Sequence, residues 1–142
     1  LSGRRINDNM SNYVAKEVSK LMIKKQINLV SAKILIMGLA FKENCKDIRN
    51  SRVIDLMQEF NKFDCHVDIY DPLIDKEEAL SEYKILPIDL HKKGYYDAII
   101  LAVSHNEFKE MGAENLRKFG KKAHILYDIK YIFSSNEVDG RL

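Results

Sequence analysis

The sequence has few of the features that commonly mark a metal site, a disulfide scaffold, a membrane anchor or a nucleic-acid interface. It has two cysteines in 142 residues, Cys45 and Cys65, and neither sits in a CxxC pair or another metal-ligand spacing. That usage argues against a disulfide framework and suits a reducing, cytoplasmic setting. The four histidines are dispersed, so no zinc or other metal site is expected. No apolar stretch approaches a membrane span, and no charged-then-apolar signal peptide opens the chain, so no membrane association is expected. The formal charge of +2 is close to neutral, and the basic residues are scattered without aromatic interleaving, which excludes nucleic acid as an expected partner. With only six glycines, the chain has neither a P-loop nor a GxGxxG fingerprint. After its first strand it reads Gly38-Leu39-Ala40-Phe41-Lys42, so a standard dinucleotide cradle is not expected within it.

What remains has the composition of a folded globular domain: 46% hydrophobic and 31% charged residues. The chain is organised around residues 32–51, AKILIMGLAFKENCKDIRNS. The apolar run at 34–39 predicts a buried strand. A charged loop follows, and an amphipathic segment from Ser51 (Val53, Ile54, Met57, Phe60) predicts a helix. A strand entering a helix through a cationic loop is the phosphate-facing corner of a nucleotide-binding α/β domain. Helix N-terminal amides favour an anion there, and Lys42, Lys46 and Arg49 add full charges. The same residues also read as a solvated loop in which cations balance Glu43 and Asp47.

Residues 6–27 carry apolar side chains at Ile6, Met10, Tyr13, Val14, Val18, Leu21 and Met22, intervals that predict one long helix with Asp8, Lys16, Glu17, Lys20 and Lys24 largely elsewhere. Such a helix either packs on its own sheet or is the tail of a connecting helix from an upstream domain, whose apolar face pairs subunits. The second arrangement is expected, with residues 1–30 as that helix and 31–142 as the globular domain. Residues 65–70 alternate and stop at Asp71-Pro72, a strand ending in a turn, with Asp71 taken as structural. Residues 75–83 predict a short helix, 85–88 an edge strand broken at Pro87, and 89–93 a helical turn. Residues 97–103 (DAIILAV) predict a central parallel strand running into a polar loop that opens a helix. A short helix at 114–119 ended by Gly120, a last strand at 125–128 and a polar tail with a turn at Asp139-Gly140 complete the chain. The fold class is therefore α/β: a Rossmann-like, open, doubly wound parallel sheet of about five strands preceded by a long N-terminal helix. Ligands in such sheets gather at the carboxyl ends of the strands, where residues 42–49, Asp71, Ser104, His105 and Lys130 are expected to converge. Cys45 lies near cations that lower a thiol's pKa, but no histidine neighbours it in sequence, and no residue here is expected to be catalytic. His105 reads as a ligand donor, a general base or neither.

Residues 38–56, GLAFKENCKDIRNSRVIDL, resemble the G-x-(A/S)-F-K-x-x-x-x-D-x-R-x-S segment of the UDP-glucose/GDP-mannose dehydrogenase family, in its carboxyl-terminal UDP-sugar-binding domain. YDP at 70–72, AVSHNEF at 102–108 and LYDIKYIF at 126–133 agree in register, and GRRINDNMSNYVA at 3–15 resembles the end of the family's long central helix. SHNEF, the DxK motif and the closing VDGRL are most similar to the bacterial branch, Vi-antigen type, that oxidises UDP-N-acetylglucosamine and related hexosamines for surface polysaccharides. The resemblance implies one module of an NAD-dependent UDP-sugar 6-dehydrogenase that converts the C6 alcohol to a carboxylate in two steps, through a cysteine thiohemiacetal. The NAD domain and the catalytic cysteine would lie upstream, and the module alone would be inactive. It further implies that Lys42 and Lys130 bind the UDP-sugar, Lys130 standing where the UDP-glucose branch has an arginine; that Arg49 reaches NAD held mainly by the other domain; and that the protein forms a homodimer through the central helix. Two other classes remain open: a non-catalytic nucleotide-binding or dimerisation module, and a stand-alone enzyme using Cys45 and His105.

Overall fold

The computed structural model describes residues 2–142, with side chains from residue 10 onward; Ile6 and Asp8 of the predicted helical faces lie outside the described side chains. Helix α1 (Ser2–Lys24) leads into β1 (Lys33–Met37), α2 (Val53–Asn61), β2 (His66–Tyr70), α3 (Lys76–Tyr83), β3 (Tyr96–Leu101), α4 (Asn106–Arg117) and β4 (Gly120–Asp128). A 3-10 turn at Ser135–Glu137 precedes β5 (Gly140–Arg141). The five strands form one parallel sheet in the order β2-β1-β3-β4-β5.

Strand periodicity divides the core into two layers. Ile34, Ile36, Ala98, Ile100, Ile125 and Tyr127 point to one face, with Val14, Val18 and Met22 of α1 and Leu56 and Phe60 of α2. Leu35, Met37, Ile99, Leu101 and Leu126 point to the other, against Phe108 and Leu116 of α4. Because β1 and β3 are covered on both faces, they need apolar residues at every position, which is why they read as continuous aliphatic runs. Each fully buried Leu or Ile side chain contributes ~1.5–3 kcal/mol to holding the layers together. Helix α1 lies against its own sheet through Val14, Ala15, Val18 and Met22, while Tyr13 and Ile23 remain exposed.

Several expectations need correction. Residues 85–88 form no strand: Ile88 N–H donates to Ile69 O of β2, but Pro87 has no N–H with which to continue a ladder. The fifth strand is instead β5, in the tail that was expected to be only a turn; its two residues pair with Tyr127 and Asp128. Residues 89–93 make no helical turn, because the chain there is drawn across to the end of α4, where Gly94 N–H donates to Lys118 O and Tyr95 N–H to Phe119 O. The helix after His105 and the one expected at 114–119 are two halves of α4, kinked at Gly112 (φ 79°, ψ 154°). Gly120 opens β4 rather than closing a helix, since β4 begins well before residue 125 with exposed Lys121 and Lys122.

Candidate functional site

In a sheet of this order the connections from β1 and β3 leave in opposite directions, so a crevice opens at the carboxyl ends of those two strands. Two buried carboxylates shape the loops around it. Asp71, at the end of β2, has a side chain with no solvent exposure. Its Oδ2 accepts the N–H groups of Leu39 (2.7 Å) and Ala40 (3.0 Å) and a hydrogen bond from His105 Nε2 (2.9 Å), and its Oδ1 accepts Leu73 N–H (2.9 Å). Burial by itself would raise this carboxyl's pKa, but the bonds from His105, Leu39, Leu73 and Ala40 outweigh it and hold Asp71 below the ordinary range. Asp128, at the end of β4, accepts the N–H groups of Lys130, Ile132 and Phe133 at 2.9–3.2 Å and folds the loop that carries Lys130. Phe41 N–H donates to Asp47 O (2.7 Å), closing the loop after β1 on itself.

These clamps bring Lys42 and Lys130 to one cleft of ≈130 Å³ at the switch point, with Ala40, Glu43, Arg52 and residues 102–104 around them. The cleft shares Phe41, Arg52, Val53, Ala102 and Lys130 with a groove of ≈300 Å³ that continues between α1 and α2 past Met10, Val14 and Leu56. Among the described lining residues, Lys42, Lys130 and Arg52 (the last ion-paired with Asp55 at 3.9 Å) accompany Glu43, and this rim with its apolar extension suits an anionic ligand that carries a flat or apolar group.

Arg49 is not in this cleft. It stands in a separate recess of ≈160 Å³ with Asp47, Asn50 and Phe41. Its Nε and Nη2 donate to the two oxygens of Asp47 at 3.0 and 2.9 Å, and this guanidinium holds the Asp47 carboxyl down to about 2. Phe41, 57% exposed, lines both recesses, whereas Arg49 lines only the one and Lys42 and Lys130 only the other of the two. Sequence reasoning missed Phe41, Arg52 and the Asp128 clamp. Their available signals were an aromatic residue directly after a buried strand and an aspartate closing one.

His105 is fully buried, with both ring nitrogens engaged, Nε2 by Asp71 and Nδ1 by Asn44 N–H at 2.9 Å. It therefore offers no nitrogen to Cys45, whose sulfur accepts Asp47 N–H (3.4 Å), and the pairing of Cys45 with His105 as nucleophile and base is not made. The thiols differ in environment. Cys45 is half-buried, whereas burial, followed by Asp64 and Asp97, pushes buried Cys65 up to about 11. Iodoacetamide at pH 8 is expected to alkylate one thiol, Cys45, and Cys65 at least ~10-fold more slowly; mass spectrometry of the labelled peptides measures the ratio. Equal rates would mean that the amino end of β2 opens freely.

A further cavity, ≈410 Å³, lies among Gln26–Asn28, Val30–Ala32, Asp97 and Lys121–Ala123, at the amino-terminal ends of the strands and away from these loops. No helix among the described residues is long and apolar enough to cross a membrane.

Fold and rim together define a doubly wound α/β domain with a cationic crevice at its switch point. The chain belongs to the UDP-glucose/GDP-mannose dehydrogenase family, whose UDP binding domain matches residues 35–135. It is 53% identical over all its 142 residues to the UDP-N-acetyl-D-glucosamine 6-dehydrogenase of Salmonella typhi, covering 33% of that protein. It is 49% identical to the enzyme of the same name from Pseudomonas aeruginosa, covering 34% of it. Among solved structures, the UDP-D-ManNAc dehydrogenase from Pyrococcus horikoshii superposes with a TM-score of 0.77 at 26% identity, over 97% of this chain and 31% of that one. The chain thus spans about a third of the length of the relatives it matches.

Proposed function

We propose that this chain is the UDP-sugar-binding domain of an NAD-dependent UDP-N-acetylhexosamine 6-dehydrogenase, a cytoplasmic enzyme of polysaccharide biosynthesis with UDP-N-acetylglucosamine or a related hexosamine as substrate. The observation that carries this reading is that Lys42 and Lys130, from loops far apart in sequence, line one cleft at the β1/β3 switch point. In it the two ammonium groups bind and orient the diphosphate end of the substrate, and the clamps of Asp71 and Asp128 hold both loops in place before the ligand arrives. Lys130 supplies a point charge where a guanidinium would supply a two-pronged donor, so it positions the anion less strictly.

NAD would be held mainly by an upstream domain and, when bound, would supply the acceptor for the hydride from the sugar C6. Arg49 fits a role toward it because its exposed guanidinium lines a recess separate from the sugar cleft and is oriented by Asp47. The segment of residues 1–30 acts as the end of the connecting region, its helix α1 stopping at Lys24, and Tyr13 and Ile23, exposed on α1, suit the homodimer contact. Alone, the chain binds UDP without producing NADH from NAD and UDP-N-acetylglucosamine.

Substitution in the whole dehydrogenase tests the assignment. A charge-assisted contact to a partly buried phosphate is worth ~1.5–3 kcal/mol. Lys42→Ala is therefore expected to weaken UDP-sugar binding roughly tenfold to a hundredfold with NAD affinity nearly unchanged, and Arg49→Ala to show the opposite selectivity. Equilibrium titration with each ligand measures both. Small and equal effects of the two substitutions on the two ligands would return the loop to a solvated charged turn.

A further inference from the structure

The loop that carries Lys42 is tied to the start of α4 by a reciprocal clasp. His105 immediately precedes the helix but makes no side-chain cap to it. Its ring is turned instead toward the loop, where Nδ1 accepts Asn44 N–H at 2.9 Å. The vacated cap position is filled from the loop, because Asn44 Oδ1 accepts Asn106 N–H at 2.9 Å. Asn44 reaches both partners from the left-handed region, φ 57°. The same imidazole bonds through Nε2 to Asp71, whose Oδ2 also holds the N–H groups of Leu39 and Ala40. A nitrogen that accepts an amide proton carries none of its own. The ring is therefore the neutral Nε2–H tautomer, donating to Asp71. The Phe108 ring packs 5.3 Å from it, and the imidazole is fully buried. One ring thus grips residues 39–40 through Asp71 and residue 44 directly, and Lys42 lies between the two grips.

We propose that His105 is a positioning residue for nucleotide binding: held neutral between Asp71 and the Asn44 amide, it fixes the span 39–44 so that Lys42 is presented to the cleft. This rests on the proposed role of Lys42. It assigns His105 no contact with the ligand, and it explains why a buried, polar, aromatic side chain with an acceptor on one edge and a donor on the other stands at the start of α4. Leucine would fill the volume but make neither bond, whereas asparagine can restore the acceptor toward Asn44 and glutamine the donor toward Asp71.

UDP is titrated calorimetrically into the whole dehydrogenase carrying His105→Leu, His105→Asn or His105→Gln, each with Lys42 retained and with Lys42→Ala. With Lys42 present, His105→Leu is expected to weaken UDP binding about tenfold, His105→Asn to recover most of that loss, and His105→Gln to recover little. In the Lys42→Ala background the three substitutions should change UDP affinity by less than about twofold, since what they misplace is already gone. At pH 7 the ¹⁵N signals of the His105 ring should show a protonated Nε2 and a bare Nδ1. Unchanged UDP affinity in His105→Leu, with Lys42→Ala still weakening it, overturns the proposal. So does an equal loss in both Lys42 backgrounds, which would mark a structural effect alone, and so does a protonated Nδ1. A Lys42→Ala variant that binds UDP normally would overturn the binding role itself, and the ring signals then judge the clasp independently.

Discussion

Asp71→Ala is expected to destabilise the domain by about 3–5 kcal/mol in urea or thermal unfolding. The carboxylate has no solvent exposure and serves four donors. Its removal leaves Leu39 N–H, Ala40 N–H and His105 Nε2–H facing a void, and each buried donor without an acceptor costs about 1–3 kcal/mol before any relaxation. Asp71→Asn should be milder. Its Oδ1 can take the place of Oδ2 and keep three of the donors, but its NH₂ then confronts Leu73 N–H. Acid should act on the wild type in the same direction. The folded-state pKa of Asp71 is held below that of an unfolded aspartate, so its stabilisation is complete above the unfolded value near ~3.9 and is lost as pH falls through the lower folded value. Asp139 adds a contribution of the same sign: burial opposes its ionised form, but Leu126 N–H and the Arg117 guanidinium prevail. A stability curve below about pH 4 that is equally steep in wild type and Asp71→Asn would remove Asp71 from the account. An Asp71→Ala variant within ~1 kcal/mol of wild type would show that the loop clamp is not coupled to the fold.

That clamp marks the boundary between what residue identity discloses and what it does not. Strands β1 and β3 were legible because burial on both faces leaves them no polar position, and α1 because its apolar intervals follow the helical repeat. The meeting of Lys42 and Lys130 was legible from topology alone, since residues that follow parallel strands must emerge on the same rim. Strand β5 was not, because two residues carry no period; and the start of β4 was hidden by lysines that an exposed stretch tolerates. Asp71 was recognised as structural, yet its partners are backbone N–H groups distant in sequence, which look the same whatever side chain they carry. The Asn44–His105 bond and the three donors to Asp128 stayed out of sight for the same reason. Phe41 shows the converse. Its identity was plain, but that it lines both the Lys42 cleft and the Arg49 recess depends on the loop closing at Asp47.

Gly38→Ala is expected to be comparably damaging, and to disturb the site as well as the fold. Gly38 directly follows β1 at φ 107°, a conformation that side chains resist, with a cost of about 1–3 kcal/mol. A Cβ there would stand 2.5 Å from Val103 Cβ, 2.7 Å from Val103 Cγ2 and 3.0 Å from Val103 N, so sterics add a further ~1–3 kcal/mol of overpacking. Neither side can yield easily. Gly38 N–H is bonded to Tyr70 O (2.7 Å), and the N–H groups of Ala102 and Val103 both reach Met37 O, at 3.0 and 3.4 Å. The close approach of residue 38 to residue 103 is what brings the loops after β1 and β3 together around the cleft. Any shift that relieves the clash must therefore move Lys42 away from residues 102–104. Gly94→Ala is the matched control: its φ of 64° is also positive, but no atom lies within 4 Å of the added Cβ, so only the backbone term of about 1 kcal/mol applies. Denaturant unfolding of the two variants should place Gly38→Ala ~2–4 kcal/mol below Gly94→Ala, and UDP titration should find weakened binding in Gly38→Ala alone. Equal destabilisation in the two variants, with UDP affinity intact in both, would mean that the approach of the two loops is slack and that the cleft does not depend on it.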